Sequence, residues 1–108
     1  MELHEKKCVP CEGGAQPLTR AEAEKLLSQV QGWVLSDDVK NISRTFEFKN
    51  FVQAMAFVDN VADAAEIDAH HPDIHIFYNK VTLELSTHAI DGLSENDFIA
   101  AAKINRIR

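Results

Sequence analysis

The sequence predicts an α+β fold in which helices cover one face of a four-stranded antiparallel sheet, in the order α-β-β-α-β-β-α. Two observations lead to this prediction. Three segments begin with helix-capping residues and continue with apolar residues at helical spacing, whereas four shorter segments alternate between apolar and polar residues. The strand segments form two neighbouring pairs separated by a helix, and this arrangement favours hairpins with antiparallel pairing.

The first helix and the first strand pair follow residue 18. The capping box Thr19-Arg20-Ala21-Glu22 opens the helix, and Gly32 ends it. The core-facing stripe of this helix consists of Leu26, Leu27 and Val30. A strand over residues 33–35 and a turn at Asp37-Asp38 come next. The second strand carries apolar residues on one face, at Ile42, Phe46 and Phe48.

A long amphipathic helix is predicted between the two strand pairs. Asn50 and Gln53 mark its start. Pro72 disfavours a helical conformation for the residue before it, so we expect the helix to end between Asp68 and His70. The predicted core-facing positions are Phe51, Met55, Val58, Ala62 and Ala65.

The second strand pair and the last helix complete the order. The third strand places Ile74, Ile76 and Tyr78 on one face, and a tight turn at Asn79-Lys80 leads to the fourth strand. The inward residues of the fourth strand are Val81, Leu83 and Leu85. A capping box over residues 94–97 opens the last helix, and the expected role of Asp97 within it is helix initiation.

Composition and charge narrow the class of protein. A chain of 108 residues forms one domain, and it can bury roughly two-thirds of its surface without disulfides or a metal. The net charge of −6 disfavours binding to nucleic acid or to an anionic membrane. No apolar run approaches the roughly 18 residues of a membrane span, and no signal peptide is recognisable at the start. We therefore expect a cytoplasmic protein.

Residues 1–17 are predicted to form a flexible arm, and residues 18–108 the folded domain. The arm contains two of the four glycines and two of the three prolines. Its cysteines, Cys8 and Cys11, form a CxxC pair, which is typical of a redox dithiol or of half a zinc site. A redox pair follows a strand at a helix start, and zinc needs a fourth ligand beyond His4 and the two thiols. Neither condition is evident, so we interpret the pair as part of the arm.

Histidines are concentrated in one stretch of the chain. Four of the five, His70, His71, His75 and His88, fall within nineteen residues, and Glu66 precedes His70 by one helical turn. Imidazole can both donate and accept a proton near neutral pH. The chain contains neither a nucleophile elbow nor a phosphate-binding glycine loop. This pattern favours proton transfer on a small molecule.

Two other interpretations of the histidines remain open at this point. A histidine cluster can bind a metal, although the spacings H-x₃-H and H-E-x-x-H are absent. Histidines at a helix end can also be surface residues stabilised by the helix dipole. For His75, which shares a strand face with Asp73, the surface role is preferred.

One spaced set of residues resembles a known family. The pattern Glu66-x₃-His70-His71-Pro72-x₅-Tyr78-x₉-His88-x₈-Asp97 is similar to the signature of the pterin-4a-carbinolamine dehydratases. The resemblance continues through Tyr78-Asn79-Lys80-Val81, Leu85-Ser86-Thr87-His88 and Gly92-Leu93-Ser94, and it covers the chain from about Leu18 to the carboxyl terminus.

The resemblance implies a hydro-lyase that needs no cofactor and no metal. Its substrate would be a 4a-hydroxytetrahydropterin, and its product a quinonoid dihydropterin, within tetrahydropterin recycling. By the family pattern, His70 and His88 would be the acid/base pair, and His71 would bind and orient the pterin. Glu66 would orient His70, and Trp33 would form an apolar wall against the ring.

The same resemblance carries an alternative function and an expected assembly. Non-enzymatic members act as a dimerisation cofactor of a homeodomain activator or as an assembly chaperone of RuBisCO. Family members form homodimers or homotetramers by edge-strand pairing and helix packing, and an exposed edge strand gives a physical reason for such assembly.

Overall fold

The computed structural model describes residues 2–9 and 16–107 of the chain. Its helices and strands follow the predicted order, so the prediction of an α+β fold is confirmed. The elements are α1 (Arg20–Leu27), β1 (Val34–Leu35), β2 (Ile42–Glu47), α2 (Phe51–Asp68), β3 (Asp73–Phe77), β4 (Lys80–Leu85) and α3 (Glu95–Asn105). Short 3₁₀ turns at Leu3–Glu5 and His88–Ile90 were not predicted.

The four strands form one antiparallel sheet in the order β1-β2-β4-β3. Residues that pair directly across antiparallel strands share a face of the sheet. Ile42 pairs with Leu85, and Phe46 pairs with Val81, so the apolar positions of both strands lie on one face. Helices α2 and α3 pack against β4, and its inward residues Val81, Leu83 and Leu85 are fully buried.

The buried face of α2 differs from the predicted one. The buried residues are Ala54, Phe57, Val61 and Ala65. Of the predicted positions, Ala65 is buried and Val58 is partly buried against the core. Phe51 is 46% exposed, and Ala62 is also exposed. The apolar residues of α2 form two adjacent stripes, and spacing alone could not decide which stripe faces the sheet. Phe57 settles the choice because its ring packs against Phe46 and Phe48 of the β2 region.

The turn between β3 and β4 lies one residue earlier than predicted. Phe77 pairs with Lys80, and the turn therefore consists of Tyr78 and Asn79. The backbone amide of Phe48 donates to the carbonyl of Asn79 at 2.8 Å, and the Asn79 side-chain amide donates to the carbonyl of Phe48 at 2.9 Å. These two bonds hold Asn79 outside the ladder, so Tyr78 occupies the turn and not the strand face predicted for it.

The predicted helix starts are confirmed. In α1 the Glu22 amide donates to the Thr19 hydroxyl, and the Thr19 amide donates to the Glu22 carboxylate at 2.9 Å. These contacts with Thr19 hold the pKa of Glu22 below its usual value. In α2 the side chain of Asn50 accepts the amide of Gln53 at 2.9 Å. The helix ends at Asp68, within the predicted range.

The segment predicted to be a flexible arm contacts the domain at residues 2–9. Leu3 is 6% exposed, and its 3₁₀ turn packs against α3. Flexibility of the arm in solution stays a prediction, and Cys11 lies outside the described residues, so the structure does not address the CxxC pair. In the part of the chain that the structure describes, no helix combines the length and the apolar character of a membrane span.

Candidate active site

An open cleft of about 650 Å³ lies where the carboxyl end of α2, the segment that follows β4 and the amino-terminal segment meet. Its volume falls within the range of small-molecule sites. The lining residues come from three stretches of chain: residues 7–9, residues 67–73 and residues 86–89. His70, His71 and His88 are all among them, so the structure brings together three of the four clustered histidines, those to which the family resemblance gives a role.

The end of α2 determines where the two adjacent histidines lie. Ala69 has a left-handed backbone (φ 53°, ψ 37°), and its amide bonds to the carbonyl of Glu66. The amide of His70 bonds to the carbonyl of Ala65 at 3.2 Å. This pair of bonds is the Schellman motif, which turns the chain away from the helix axis after its last residue. His70 and His71 are therefore outside the helix, and helical spacing no longer applies to them.

His70 is held by a buried carboxylate. Its Nε2 lies 2.6 Å from Oδ1 of Asp97, whose side chain is completely buried, while the His70 side chain is 13% exposed. The other oxygen, Oδ2, accepts the Thr87 hydroxyl at 2.8 Å and the Ser94 amide at 3.0 Å. A carboxylate that already accepts two donors acts as an acceptor toward the imidazole as well. This arrangement places the proton on Nε2 and leaves Nδ1 as the ring nitrogen that can serve a ligand.

Asp97 thus has a second role beyond the predicted one. The capping box of α3 is present, with the Ser94 side chain and the Asp97 side chain each bonded to the other's backbone amide. The remaining oxygen of the same carboxylate orients His70. This contact was not predicted, because Asp97 was assigned to helix initiation alone. The spaced signature could have indicated this contact, because it contains Asp97 together with His70. A capping role alone does not require a buried side chain.

Glu66 pairs with His71 and not with His70, so the prediction that it orients His70 is wrong. Its Oε2 lies 2.5 Å from Nε2 of His71, and both side chains are exposed, at 78% and 57%. The physical reason is the left-handed residue Ala69, which moves His70 from the position one turn after Glu66 and brings His71 there instead. Glu66 does not itself line the cleft.

His88 comes to the cleft from a different stretch of chain, the segment that follows β4. Strand β4 ends at Leu85, and His88 opens the 3₁₀ turn His88–Ile90 that follows it. The amide of Asp91 bonds to the His88 carbonyl at 3.1 Å, and Asp91 closes the turn with a left-handed backbone. The His88 side chain is exposed and makes no hydrogen bond to any residue within 2–9 or 16–107. Its ring is therefore available to a ligand.

An ion pair that includes the lining residue Asp68 links α2 to α3. The side chain of Asp68, the last residue of α2, is 6% exposed, and its Oδ2 lies 2.5 Å from Nζ of Lys103. This pair and the His70–Asp97 contact attach the chain to α3 on either side of the turn at Ala69. The position of the histidine pair is consequently fixed by α3 as well as by α2.

Trp33 lies in the core and not in the cleft. It is 5% exposed, its ring packs edge-on against Phe46, and its indole N–H donates to Asn105 at 2.8 Å. Asn105 is eight residues beyond Asp97 on α3, a separation of about 12 Å along the helix. The indole is thus used for packing at the opposite end of α3, and the structure does not support its predicted contact with the pterin.

The remaining candidates are also outside the cleft. His75 lies on the exposed edge strand β3, where its Nε2 is 3.7 Å from Glu84. Among the residues that the structure describes, the side chains close enough together to share a metal ion are Glu2, His4 and Glu5, at the amino terminus.

An α+β fold with an imidazole-lined cleft and a carboxylate-anchored histidine defines a class of protein suited to acid/base chemistry on a small organic molecule. Comparisons with known proteins identify the family. The sequence model described as "Pterin 4 alpha carbinolamine dehydratase" matches residues 16–107, and the chain belongs to this family.

Two relatives and one solved structure illustrate the similarity. Proteins provisionally named pterin-4-alpha-carbinolamine dehydratase are 54% identical in Nitrosomonas eutropha, over 98% of this chain and 93% of theirs, and 47% identical in Halorhodospira halophila, over 99% and 98%. The crystal structure of a transcriptional coactivator/pterin dehydratase from Brucella melitensis superimposes with a TM-score of 0.78 at 37% identity. The match covers 83% of this chain and 96% of that one.

Proposed function

We propose that this protein is a hydro-lyase that eliminates water from a 4a-hydroxytetrahydropterin to give a quinonoid dihydropterin. The observation that carries the proposal is the convergence of His70, His71 and His88 on one cleft of about 650 Å³, in a chain of the dehydratase family. A further reductase would return the product to the tetrahydropterin, so the reaction would belong to tetrahydropterin recycling.

The reaction requires two proton transfers and no change in oxidation state. The bond between C4a and the hydroxyl oxygen breaks, the oxygen takes a proton and leaves as water, and a ring nitrogen gives up its proton as the new double bond forms. Hydroxide is a poor leaving group, so an acid must protonate the oxygen as the bond breaks. Each positioned proton transfer contributes roughly 10²–10⁴-fold to the rate.

We assign the two transfers to His70 and His88, which approach the cleft from different stretches of the chain. The contact with Asp97 supports this role for His70, because it fixes the ring and leaves Nδ1 for the substrate. For His88 the support is an exposed ring on a short 3₁₀ turn. His71 binds and orients the pterin in this proposal, and Glu66 fixes the His71 ring.

The proposal is tested by following carbinolamine breakdown in a stopped-flow absorbance assay. We expect the purified protein to accelerate the breakdown and His70→Ala to lose most of the acceleration. His75→Ala is the matched control, because it removes an exposed imidazole outside the cleft. A wild-type protein that leaves the uncatalysed rate unchanged would refute the proposed function, and an equal loss in both variants would refute the assignment of His70.

A second candidate function follows from the name of the Brucella protein, which also describes a transcriptional coactivator. A non-enzymatic partner-binding role would not depend on the imidazoles of the cleft. The double variant His70→Ala/His88→Ala distinguishes the two functions, because an enzyme would lose turnover while a scaffold would still bind its partner.

We also propose that the protein forms a homodimer or a homotetramer. Strand β3 is at one edge of the sheet, and all five of its residues are exposed. Ile76 lies opposite the buried Val81, on the core face, but remains 37% exposed. An apolar edge strand of this kind can pair with a second copy. We expect Ile76→Lys to lower the sedimentation mass, whereas Val34→Lys on the other edge should not; unchanged mass in Ile76→Lys would contradict pairing through β3.

A further inference from the structure

The amino-terminal segment of residues 2–9 lies outside the part of the chain that the family model matches, yet it reaches the candidate active site. Lys7, Cys8 and Val9 line the cleft together with the three histidines. They come from a different stretch of chain than the other lining residues. The amino-terminal segment therefore contributes a separate part of the lining, which we call its wall. We call residues 2–9 the amino-terminal strap.

The strap is fixed to α3 at both of its ends. At the start, Leu3 is 6% exposed in the core. At the end, the side chain of Asn96 forms a paired contact with the backbone of Val9: its Oδ1 accepts the amide at 3.0 Å, and its Nδ2 donates to the carbonyl at 2.5 Å. Asn96 precedes Asp97, so the residue that holds the strap is adjacent to the one that holds His70. The strap is consequently positioned relative to the catalytic histidine.

Two adjacent lysines of the strap differ in their surroundings. Nζ of Lys6 is 3.0 Å from the carboxylate of Glu95, so its charge is used in an ion pair. Lys7 lines the cleft and forms no ion pair with any residue in the described ranges 2–9 and 16–107. An ammonium group offers three donors and no acceptor, so it selects an oxygen or nitrogen lone pair. The donors of Lys7 are available to a molecule in the cleft.

We infer that residues 7–9 of the amino-terminal strap are part of the substrate site and that Lys7 donates a hydrogen bond to an acceptor atom of the bound pterin. This inference rests on the proposed function and adds a binding residue to it. The contact is made with the bound ring system or its substituent and not with the bond that breaks. It therefore strengthens binding of the substrate and of the transition state alike, and it acts on KM and not on kcat.

The test compares Lys7→Met with Lys6→Met in the full-length protein. Both changes remove one charge from adjacent positions and keep an unbranched side chain. We expect Lys7→Met to raise KM for the carbinolamine roughly threefold to tenfold, the loss typical of one hydrogen bond, with kcat changed less than about twofold. Lys6→Met should match the wild type, and Lys7→Arg, which keeps a donor, should restore most of the affinity.

A second readout does not depend on turnover. The dissociation constant of a dihydropterin, measured by titration calorimetry, should rise in Lys7→Met by the same factor as KM. Equal KM in Lys7→Met and the wild type, an equal rise in both lysine variants, or a fall in kcat alone would each overturn the inference while leaving the dehydratase proposal intact. A wild-type protein that neither turns over the carbinolamine nor binds the dihydropterin would refute the proposed function, and the role of Lys7 would fall with it.

Discussion

Replacing Asp97 by asparagine tests whether its carboxylate determines which ring nitrogen of His70 carries the proton. The three groups around the side chain fix how an asparagine would sit. The backbone amide of Ser94 needs an acceptor at 3.0 Å, so the amide oxygen must stay on that side. The NH₂ group would then face Nε2 of His70, where Oδ1 now lies at 2.6 Å. Two donors cannot share this contact, so the proton of His70 would move to Nδ1.

The change of tautomer determines how far kcat should fall. With the proton on Nδ1, the ring nitrogen left for the substrate becomes a donor and can no longer accept a proton. Proton transfer by one group is worth roughly 10²–10⁴-fold, so kcat should fall by about that factor, equivalent to about 3–5 kcal/mol of transition-state stabilisation. The fold should persist, because asparagine retains an acceptor for Ser94 and Thr87. We expect unfolding to become easier by about 1–3 kcal/mol, the loss of a charge-assisted bond.

The assay is stopped-flow absorbance of carbinolamine breakdown, with thermal unfolding measured on the same samples. Glu66→Gln is the matched control, since it makes the same chemical change in the exposed pair with His71. Exposed ion pairs contribute about 0–1 kcal/mol, so kcat of Glu66→Gln should stay within about fivefold of the wild type. Control of the His70 tautomer by Asp97 is refuted if the Asp97→Asn protein is folded and retains more than half of the wild-type kcat. It is also refuted if Glu66→Gln lowers kcat more than Asp97→Asn does.

Three further predictions concern activity, backbone strain and pH. His88→Ala should lower kcat by about 10²–10⁴-fold in the same assay without lowering the melting temperature, because the removed ring is exposed; wild-type kcat would contradict its catalytic role. Ala69→Gly should stabilise the protein by about 0.5–1 kcal/mol in urea unfolding, because φ at this position is 53°. Ala62→Gly, inside helix α2, should instead destabilise it by about 1 kcal/mol. Equal effects of the two changes would refute backbone strain at Ala69. The pKa of Glu22 is lowered in the folded state, so its carboxylate stabilises the fold above the unfolded value of 4.5, and this stabilisation disappears as the pH falls through the lowered pKa. Urea midpoints of the wild type and Glu22→Gln should therefore differ by a constant amount near neutrality and converge in acid, and a constant difference at all pH values would contradict this assignment.

Local signals predicted most of the fold because they act between residues close in sequence. Capping residues such as Thr19 and Asn50 satisfy amides three positions away, and the proline at residue 72 restricts its immediate neighbour. The face of α2 depended instead on contacts with a distant strand. The ring centroids of Phe57 and Phe46 are 4.7 Å apart. The spacing of residues within the helix cannot predict this contact.

The same distinction separates the parts of the site that were predicted from those that were not. The three cleft histidines were found because imidazole suits proton transfer near neutral pH and because their spacing matches the family signature. The partners of these histidines were not predicted. Asp97 lies 27 positions beyond His70. Glu66 was assigned to His70 by a helical spacing that the chain does not follow after Asp68. The wall formed by the strap was missed for a similar reason: Val9 is held by a side chain 87 positions away.

The turn at Ala69 explains how two adjacent histidines can serve different purposes. Had α2 continued, His70 would lie one turn after the exposed Glu66, and both rings would share its solvent environment. The left-handed residue instead rotates His70 toward α3, where the buried Asp97 fixes one ring nitrogen, and leaves His71 with Glu66 at the surface. One imidazole is thereby held in a single tautomer by a buried carboxylate, while its neighbour is paired with an exposed carboxylate. The division of labour that we propose, with chemistry at His70 and binding at His71, therefore depends on the way this helix ends.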